Sequence, residues 1–338
     1  MISVVGLKRR FKRTLLASGA LRAWSRLGGP RIVILRYHSV VEDPRAFEAT
    51  IGTAIIHQAE TFRKQMALVA RDYSVVTLDD IARYLQGGGR LPRRAVAITF
   101  DDGFQDNYQV AAGILERYGL RAAFYVTTGP VESAKPPWFC SLRWAFRRAT
   151  VGRWVDSASG RAYDLGRDGE RDEAFLCSCR RCATITGRDQ DSYVQAVTVD
   201  LRAHALDGQA RLMMNWDEIR DLHGRGHVIG AHTVSHPNIA HVPAHDARRE
   251  LAESKSALER ILQAQVVHFS YPSPILEPHW TPATVALTRE VGYRTAVTCT
   301  PGPARPGDDP LSLRRVWVPG DLEEFRWTLE ATLAGRSG

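Results

Sequence analysis

A chain of 338 residues, 44% apolar and 24% charged, can bury a large core as one big domain or two ordinary ones. No stretch approaches the roughly 18 uninterrupted apolar residues that a membrane span requires. The net charge of +8 is concentrated at the start, where Lys8, Arg9, Arg10, Lys12, Arg13, Arg22, Arg26, Arg31 and Arg36 precede the first acid, Glu42, so the body lacks net positive charge and broad nucleic-acid binding is excluded.

The first element, residues 4–27, reads as a basic amphipathic helix, either packed on the body or lying against anionic lipid. An export signal needs an apolar run of 7–15 residues after its basic start. Here Leu15–Trp24 is broken by Arg22, so the expected setting is cytoplasmic, with peripheral contact at the inner face of the membrane as an option.

Short β-branched runs then alternate with helix-length amphipathic stretches. Strands are expected at Arg31–Arg36, Ser74–Thr77, Ala95–Phe100 and Ala122–Thr127. Later strands are expected at His227–Ala231, Val266–Tyr271 and Thr295–Thr298. Helices are expected at Thr61–Arg71, Leu78–Gln86, Asn107–Tyr118, Trp216–Gly224, Ala244–Gln263, Thr281–Val291 and Leu322–Leu333. About seven βα units imply an α/β fold whose mainly parallel strands close into a barrel, with chemistry on loops at the C-terminal strand ends. His38, Asp101, Asp102, His232, His236 and the Tyr271-Pro272 pair all fall just past such ends.

The alternation fails between about 136 and 212, which reads as an insertion over the barrel mouth with a helix near Asp191–Leu206. The organisation expected is therefore a helix over 1–30 and a barrel over 31–338 that carries this insertion. Five cysteines include the cluster Cys177, Cys179 and Cys182. A structural zinc site wants four ligands, usually in two separated pairs, so free thiols are the expected reading and a metal role with Cys140 the alternative.

Thr99-Phe100-Asp101-Asp102-Gly103 places two carboxylates where a buried strand opens into a turn. Adjacent carboxylates repel, and a cation on one leaves the other free as a base. The competing reading is a turn with a helix cap. His232-Thr233-Val234-Ser235-His236 brings two imidazoles to one side of a tight loop. One Asp and two His with open positions make a catalytic site for Zn²⁺ or a similar ion; a chance pair among eleven histidines is the alternative.

Together these elements resemble the polysaccharide deacetylase family, carbohydrate esterase family four, whose first motifs are T-F-D-D-G and H-[ST]-x-x-H. The resemblance runs from about Ile32 to Trp327, apart from the insertion, and includes Tyr37-His38-Ser39-Val40 and Trp216–His236. It implies a distorted (β/α) barrel of about seven strands and hydrolysis of N-acetyl groups on amino-sugars, in a polysaccharide or a lipid-linked precursor. It also implies Asp102, His232 and His236 as ligands of one divalent ion (Zn²⁺ first; Co²⁺, Mn²⁺ or Ni²⁺ as alternatives) and Asp101 as general base. The oxyanion donor would be the Ser273 N–H, in Ser270-Tyr271-Pro272-Ser273-Pro274, which matches R-x-P-[YF]-G.

Two departures stand out. Ser270 replaces the motif's Arg, which contacts the base, and Val316-Trp317-Val318 stands where an L-x-H motif supplies the acid. His38 is the candidate to fill that gap, with a structural histidine as competitor. Trp138, Trp144 and Trp317 are candidate sugar-stacking residues, and His279 and Trp280 lie on a loop that could reach the mouth. Alternative functions are action on an O-acetyl ester or a formamide, or a glycan-binding module that no longer turns over. No G-x-S-x-G elbow supports a nucleophilic hydrolase.

Overall fold

The computed structural model describes residues 4–27, 29–206 and 211–335. Two helices, α1 (Val4–Ala17) and α2 (Ala20–Leu27), lie where one was expected, because Gly19 turns the chain with a left-handed φ of 70°. After them come β1 (Val33–Tyr37), the parallel pair β2 (Ser39–Val41) and β3 (Ile56–Gln58), α3 (Ala59–Asp72), β4 (Ser74–Val75), α4 (Leu78–Leu85) and β5 (Ala95–Phe100). Asn107–Ala112 winds as a π-helix into α5 (Gly113–Arg117), followed by β6 (Ala123–Val126) and α6 (Thr128–Ser133).

The segment expected as an insertion folds as α7 (Trp138–Arg147), an antiparallel hairpin of β7 (Arg153–Val155) and β8 (Ala162–Asp164), α8 (Asp168–Ala183) and α9 (Gly187–Asp200). The last of these helices starts and stops earlier than the expected Asp191–Leu206. The chain resumes as α10 (Trp216–Gly224), β9 (Val228–Ala231), α11 (Ala244–Leu262), β10 (His268–Ser270), α12 (Pro282–Glu290), β11 (Thr295–Pro301), β12 (Leu313–Trp317) and α13 (Leu322–Leu333). Among the described residues no helix is long and apolar enough to cross a membrane.

Seven parallel strands close into a barrel in the order β1-β12-β11-β10-β9-β6-β5, and β5 returns to β1 with Val33 opposite Val96. Strand β4 pairs only with the start of β5, below the point where β6 joins the same strand at Thr99. Side chains alternate across each strand with a period of two. Ile34, Ala97, Tyr125, Val297 and Leu313 form the apolar filling of the barrel, whereas Leu35, Val96, Ile98 and Phe124 pack under the helices. Gly230 makes room for this filling: a Cβ there would sit 2.5 Å from the Tyr125 ring.

The inward set, extended past the C-terminal strand ends, runs into His38 from β1, Asp101 from β5, His232 from β9 and Pro272 from β10. On β12 it comprises Leu313, Arg315 and Trp317. Residues 138–201 share a small core of their own around Phe146, Trp154, Tyr163 and Leu201. Helices α1 and α2 dock on α13 through buried Leu16 and Leu21 and through the ion pairs Lys12–Glu324 (2.6 Å), Arg13–Glu323 (2.6 Å) and Arg22–Glu330 (3.4 Å).

Candidate metal centre and its surroundings

Asp101 and Asp102 follow β5 directly, but the backbone sends their side chains different ways. Asp102 takes a left-handed φ of 74° that a non-glycine residue rarely adopts, and so do Thr233 (68°) and His236 (57°) in the second motif. Such strain persists only where the surroundings impose it. Here the imposing contacts are visible. Thr128 and Gly129 donate their N–H groups to the carbonyls of Thr233 and Val234 at 3.1 and 2.8 Å. Glu250 on α11 accepts from Val234 N–H, Ser235 N–H and the Ser235 hydroxyl at 2.8, 2.9 and 2.6 Å.

This folding brings His232 Nε2 and His236 Nε2 to 3.4 and 3.3 Å from Asp102 Oδ1. That oxygen is buried and has no hydrogen-bond donor. His232 Nδ1 donates to the Ser270 carbonyl at 2.7 Å, which leaves the Nε2 lone pair directed at the carboxylate. One ligand atom from each of the three residues lies within 4.8 Å of the others, so the trio fits a divalent cation. Among the described residues no other group of His, Cys, Asp and Glu has this geometry. Cys179 and Cys182 instead pack in a small core with Trp138, Phe146 and Trp154, where burial pushes both thiols up.

Asp101 points into the barrel, and a fully buried arginine that the sequence analysis did not single out meets it there. Arg315 pairs with both carboxylate oxygens at 2.7 and 2.6 Å. Its remaining N–H groups go to the Thr298 carbonyl (2.9 Å), the Thr99 hydroxyl (3.2 Å) and the Ser270 hydroxyl (3.0 Å). All five guanidinium donors therefore have an acceptor. Burial would raise the Asp101 pKa, but the Arg315 charge at hydrogen-bond distance more than offsets this and keeps the group a carboxylate.

His38 lies on the other side of Asp101, with Nε2 4.0 Å from the carboxylate and Nδ1 buried without a partner. Burial lowers its pKa to about 4. Its backbone is clamped: Asn107 donates to the His38 carbonyl at 2.6 Å, and Asp106 accepts from the Ser39 hydroxyl and Val40 N–H at 2.7 and 2.8 Å. Burial pushes the Asp106 carboxyl up to about 7. Trp317, 42% exposed, stands with its ring 6.1 Å from that of His38 and under the Arg36 guanidinium at 5.0 Å.

The remaining candidates separate. Ser273 follows Pro272 with an N–H that makes no backbone bond among the described residues. The Tyr271 ring turns away into the core, fully buried, and its hydroxyl donates to the Leu311 carbonyl (3.0 Å) and lies 3.1 Å from the Thr288 hydroxyl, so only its backbone borders the site. Trp280 is tied to the Thr300 hydroxyl at 3.2 Å and His279 to Glu277 at 3.2 Å. Trp138 donates its indole N–H to the His236 carbonyl at 3.2 Å, which places the start of α7 directly against a metal-ligand candidate.

Comparison with known proteins bears on the family and the fold. The sequence profile of the polysaccharide deacetylase family matches residues 88–159 and 185–296. YxkH of Bacillus subtilis, a provisionally assigned polysaccharide deacetylase, is 20% identical over 298 residues, 88% of this chain and 75% of that protein. Among solved structures, the Streptococcus pyogenes deacetylase PplD in complex with acetate superposes with a TM-score of 0.61 at 19% identity, covering 90% of this chain and 99% of that one. IcaB from Ammonifex degensii gives 0.57 at 19% identity, covering 89% and 97%. These likenesses place the fold, and the profile spans more than half of the chain: the chain belongs to the polysaccharide deacetylase family.

Proposed function

We propose that this chain is a metal-dependent hydrolase that removes acetyl groups from N-acetylated amino-sugars in a polysaccharide or a lipid-linked glycan precursor. The observation that carries the reading is the buried, donor-free Asp102 Oδ1 facing two imidazole nitrogens, beside a second carboxylate that Arg315 keeps ionised. Asp102, His232 and His236 would hold one divalent ion, Zn²⁺ by the character of the donors and Co²⁺, Mn²⁺ or Ni²⁺ as substitutes. When bound, such an ion lowers the pKa of a coordinated water toward neutrality and polarises the acetyl carbonyl.

The protein's own groups supply the rest. Asp101 takes the proton of the attacking water, and the Ser273 N–H donates to the oxygen that becomes negative in the tetrahedral intermediate. His38, within 4.0 Å of Asp101, carries that proton to the departing amine nitrogen as the C–N bond breaks. The products are acetate and the free amino-sugar.

The test is the metal content of the purified chain beside acetate release. We expect about one ion per chain, lost in Asp102→Ala and His232→Ala while the fold survives, and acetate rather than formate from an acetylated glycan. A chain that takes up no Zn²⁺ or Co²⁺ would turn the reading into a glycan-binding module.

The same proposal includes a cytoplasmic setting, one barrel carrying the 136–212 segment, and contact of residues 4–27 with anionic lipid. Phe11 (62% exposed) and Trp24 (58% exposed) support the last part, although Lys12, Arg13 and Arg22 are paired with acids of the body. Co-sedimentation with phosphatidylserine vesicles, reduced by Phe11→Ser and by salt, is expected; equal sedimentation with neutral vesicles would remove this part.

A further inference from the structure

Two guanidinium groups belong to the inner face of the barrel mouth. Arg315 commits all of its donors to acceptors around Asp101. Arg36 commits none. Among the described residues it makes no ion pair and donates no hydrogen bond; its guanidinium lies 5.0 Å over the ring of Trp317 instead. Strand register puts both residues on the inner face. Arg36 pairs with Trp317 across β1 and β12, and on β1 it falls between Ile34 of the barrel filling and His38. In the ring of strands β1 and β12 lie across from β9, after which His232 and His236 follow.

Arg36 is half-buried, and N–H groups withdrawn from water without an acceptor cost stability. The Trp317 face holds one side of the guanidinium by cation–π attraction and leaves its edge, where the N–H groups lie, free to grip an oxyanion. The acid on the loop after β10, Glu277, is turned to His279 at 3.2 Å. Burial is the main reason why the imidazoles of His38 and His279 resist protonation, and the Arg36 charge adds to it at both, so the cation stands within electrostatic reach of the two rings.

We infer that Arg36, backed by Trp317, is an anion subsite that takes a phosphate or carboxylate carried by the substrate beside its N-acetylated sugar. The inference rests on the hydrolase reading for where that sugar lies. Arg36 and His38 are two residues apart on one strand, about 7 Å along it, so an acidic group on the reacting sugar or on its immediate neighbour reaches the guanidinium. A neutral homopolymer gives this cation nothing to pair with. Neither Arg36 nor Trp317 lies within the segments that the family profile matches. The docking of α1 favours a phosphate as the source. Lys12 and Arg13 pair with Glu324 and Glu323 in the first turn of α13, just past β12, so exposed Phe11 lies at the mouth end of the barrel, where a lipid-linked substrate would be presented.

The experiment uses the full chain with and without Zn²⁺. The probes are N-acetylglucosamine 1-phosphate and the disaccharide of N-acetylglucosamine with glucuronate, each against a neutral counterpart, N-acetylglucosamine and its β-1,4 dimer. Affinity is read by calorimetry and turnover by acetate release. We expect a charged probe to bind about tenfold more tightly than its counterpart. The gain should shrink as salt is raised and persist without Zn²⁺. In Arg36→Met the ratio should fall to about one, and in Arg36→Lys to an intermediate value, since an ammonium keeps the charge but not the fork. Trp317→Ala keeps the charge and removes its backing, so it should lose part of the gain, which keeps the test alive if Arg36→Met fails to fold. A gain for the phosphate alone assigns the anion to a phosphate-linked carrier, and a gain for the glucuronate alone to an acidic polymer; either supports the subsite. No gain with either probe, a gain that vanishes with the Zn²⁺, or an undiminished gain in Arg36→Met overturns it. Arg36-dependent binding without acetate release would defeat the hydrolase reading and leave the subsite standing. Acetate release from charged and neutral probes bound equally well would do the reverse.

Discussion

Replacement of Arg315 by methionine is expected to cost about 3–5 kcal/mol of stability, because it leaves the Asp101 carboxylate buried without its partner. Both groups are almost wholly shielded from solvent and are joined by two charge-assisted bonds of 2.7 and 2.6 Å. The pair also sets a pH dependence with a definite sign. In the wild type the folded pKa of Asp101 lies below the unfolded value of about 3.9. The pair therefore stabilises fully above that value and loses its contribution as pH falls through the folded pKa. In Arg315→Met only the weaker pull of His232 and His38 is left to oppose burial, so the folded pKa should rise and stability should now fall as pH rises above about 4. Denaturant unfolding between pH 4 and 8 reads both slopes. Asp101→Asn in the Arg315→Met background should recover stability without recovering acetate release, since the amide needs no counter-charge and cannot accept the proton. Arg315→Lys keeps the charge but offers three donors in place of five fixed ones, so it should fold and turn over slowly. A single Arg315→Met variant within about 1 kcal/mol of wild type, at wild-type rate, would mean that the arginine does not govern Asp101.

That arginine also marks where the sequence stopped being readable. Strand β5 was legible in full because AVAITF is an uninterrupted apolar run ending in Asp-Asp-Gly, and α10 was legible because Asn215 and Glu218 form a capping box around its start. Strand β12 was not anticipated. Its alternation Leu313, Arg315, Trp317 is a proper inward set, but two adjacent arginines erase the apolar signal, and only closure of the ring shows that one of them is buried. The resemblance located an arginine at 270 and left a serine there. In the fold the guanidinium arrives from β12 and donates to that same serine. A charge needed at one point in space can be delivered from either of two strands, and linear sequence records only the strand. Glu250 was invisible for a related reason. It looks like any acid on the amphipathic helix α11, yet it is the residue that caps the strained loop before His236. The grouping of Asp102, His232 and His236 was legible because all three sit at strand ends. The split between Asp101 and Asp102 came from the resemblance, and the left-handed backbone at Asp102 supplies its physical basis.

His38→Ala should lower kcat for an acetamide by about 10²–10⁴-fold, the range associated with a lost general acid, while metal content and thermal stability stay near wild type. The chemical logic lies in the leaving group. An amine departs only after its nitrogen is protonated, whereas a phenolate leaves unassisted, so the same variant should lose far less on an aryl acetate. Comparing the two substrates separates proton delivery from a general disturbance of the site, which would slow both equally. The resting state of His38 sharpens the expectation. Burial lowers its pKa to about 4, and a bound cation nearby would push it the same way, so the ring is neutral at working pH. It cannot be a stored acid. It has to receive the proton that Asp101 takes from water, across the 4.0 Å that separates them, and hand it on within one turnover. Because the ring does not titrate near neutrality, the wild-type rate should show no loss between pH 6 and 8 attributable to histidine deprotonation, unlike an acid with the ordinary pKa of about 6.5. A basic limb in that range that disappears in His38→Gln would show that the ring is charged at rest and that the relay from Asp101 is wrong. Equal losses on the amide and the aryl ester would leave His38 a structural residue, held in its turn by Asn107 and Asp106 for packing alone.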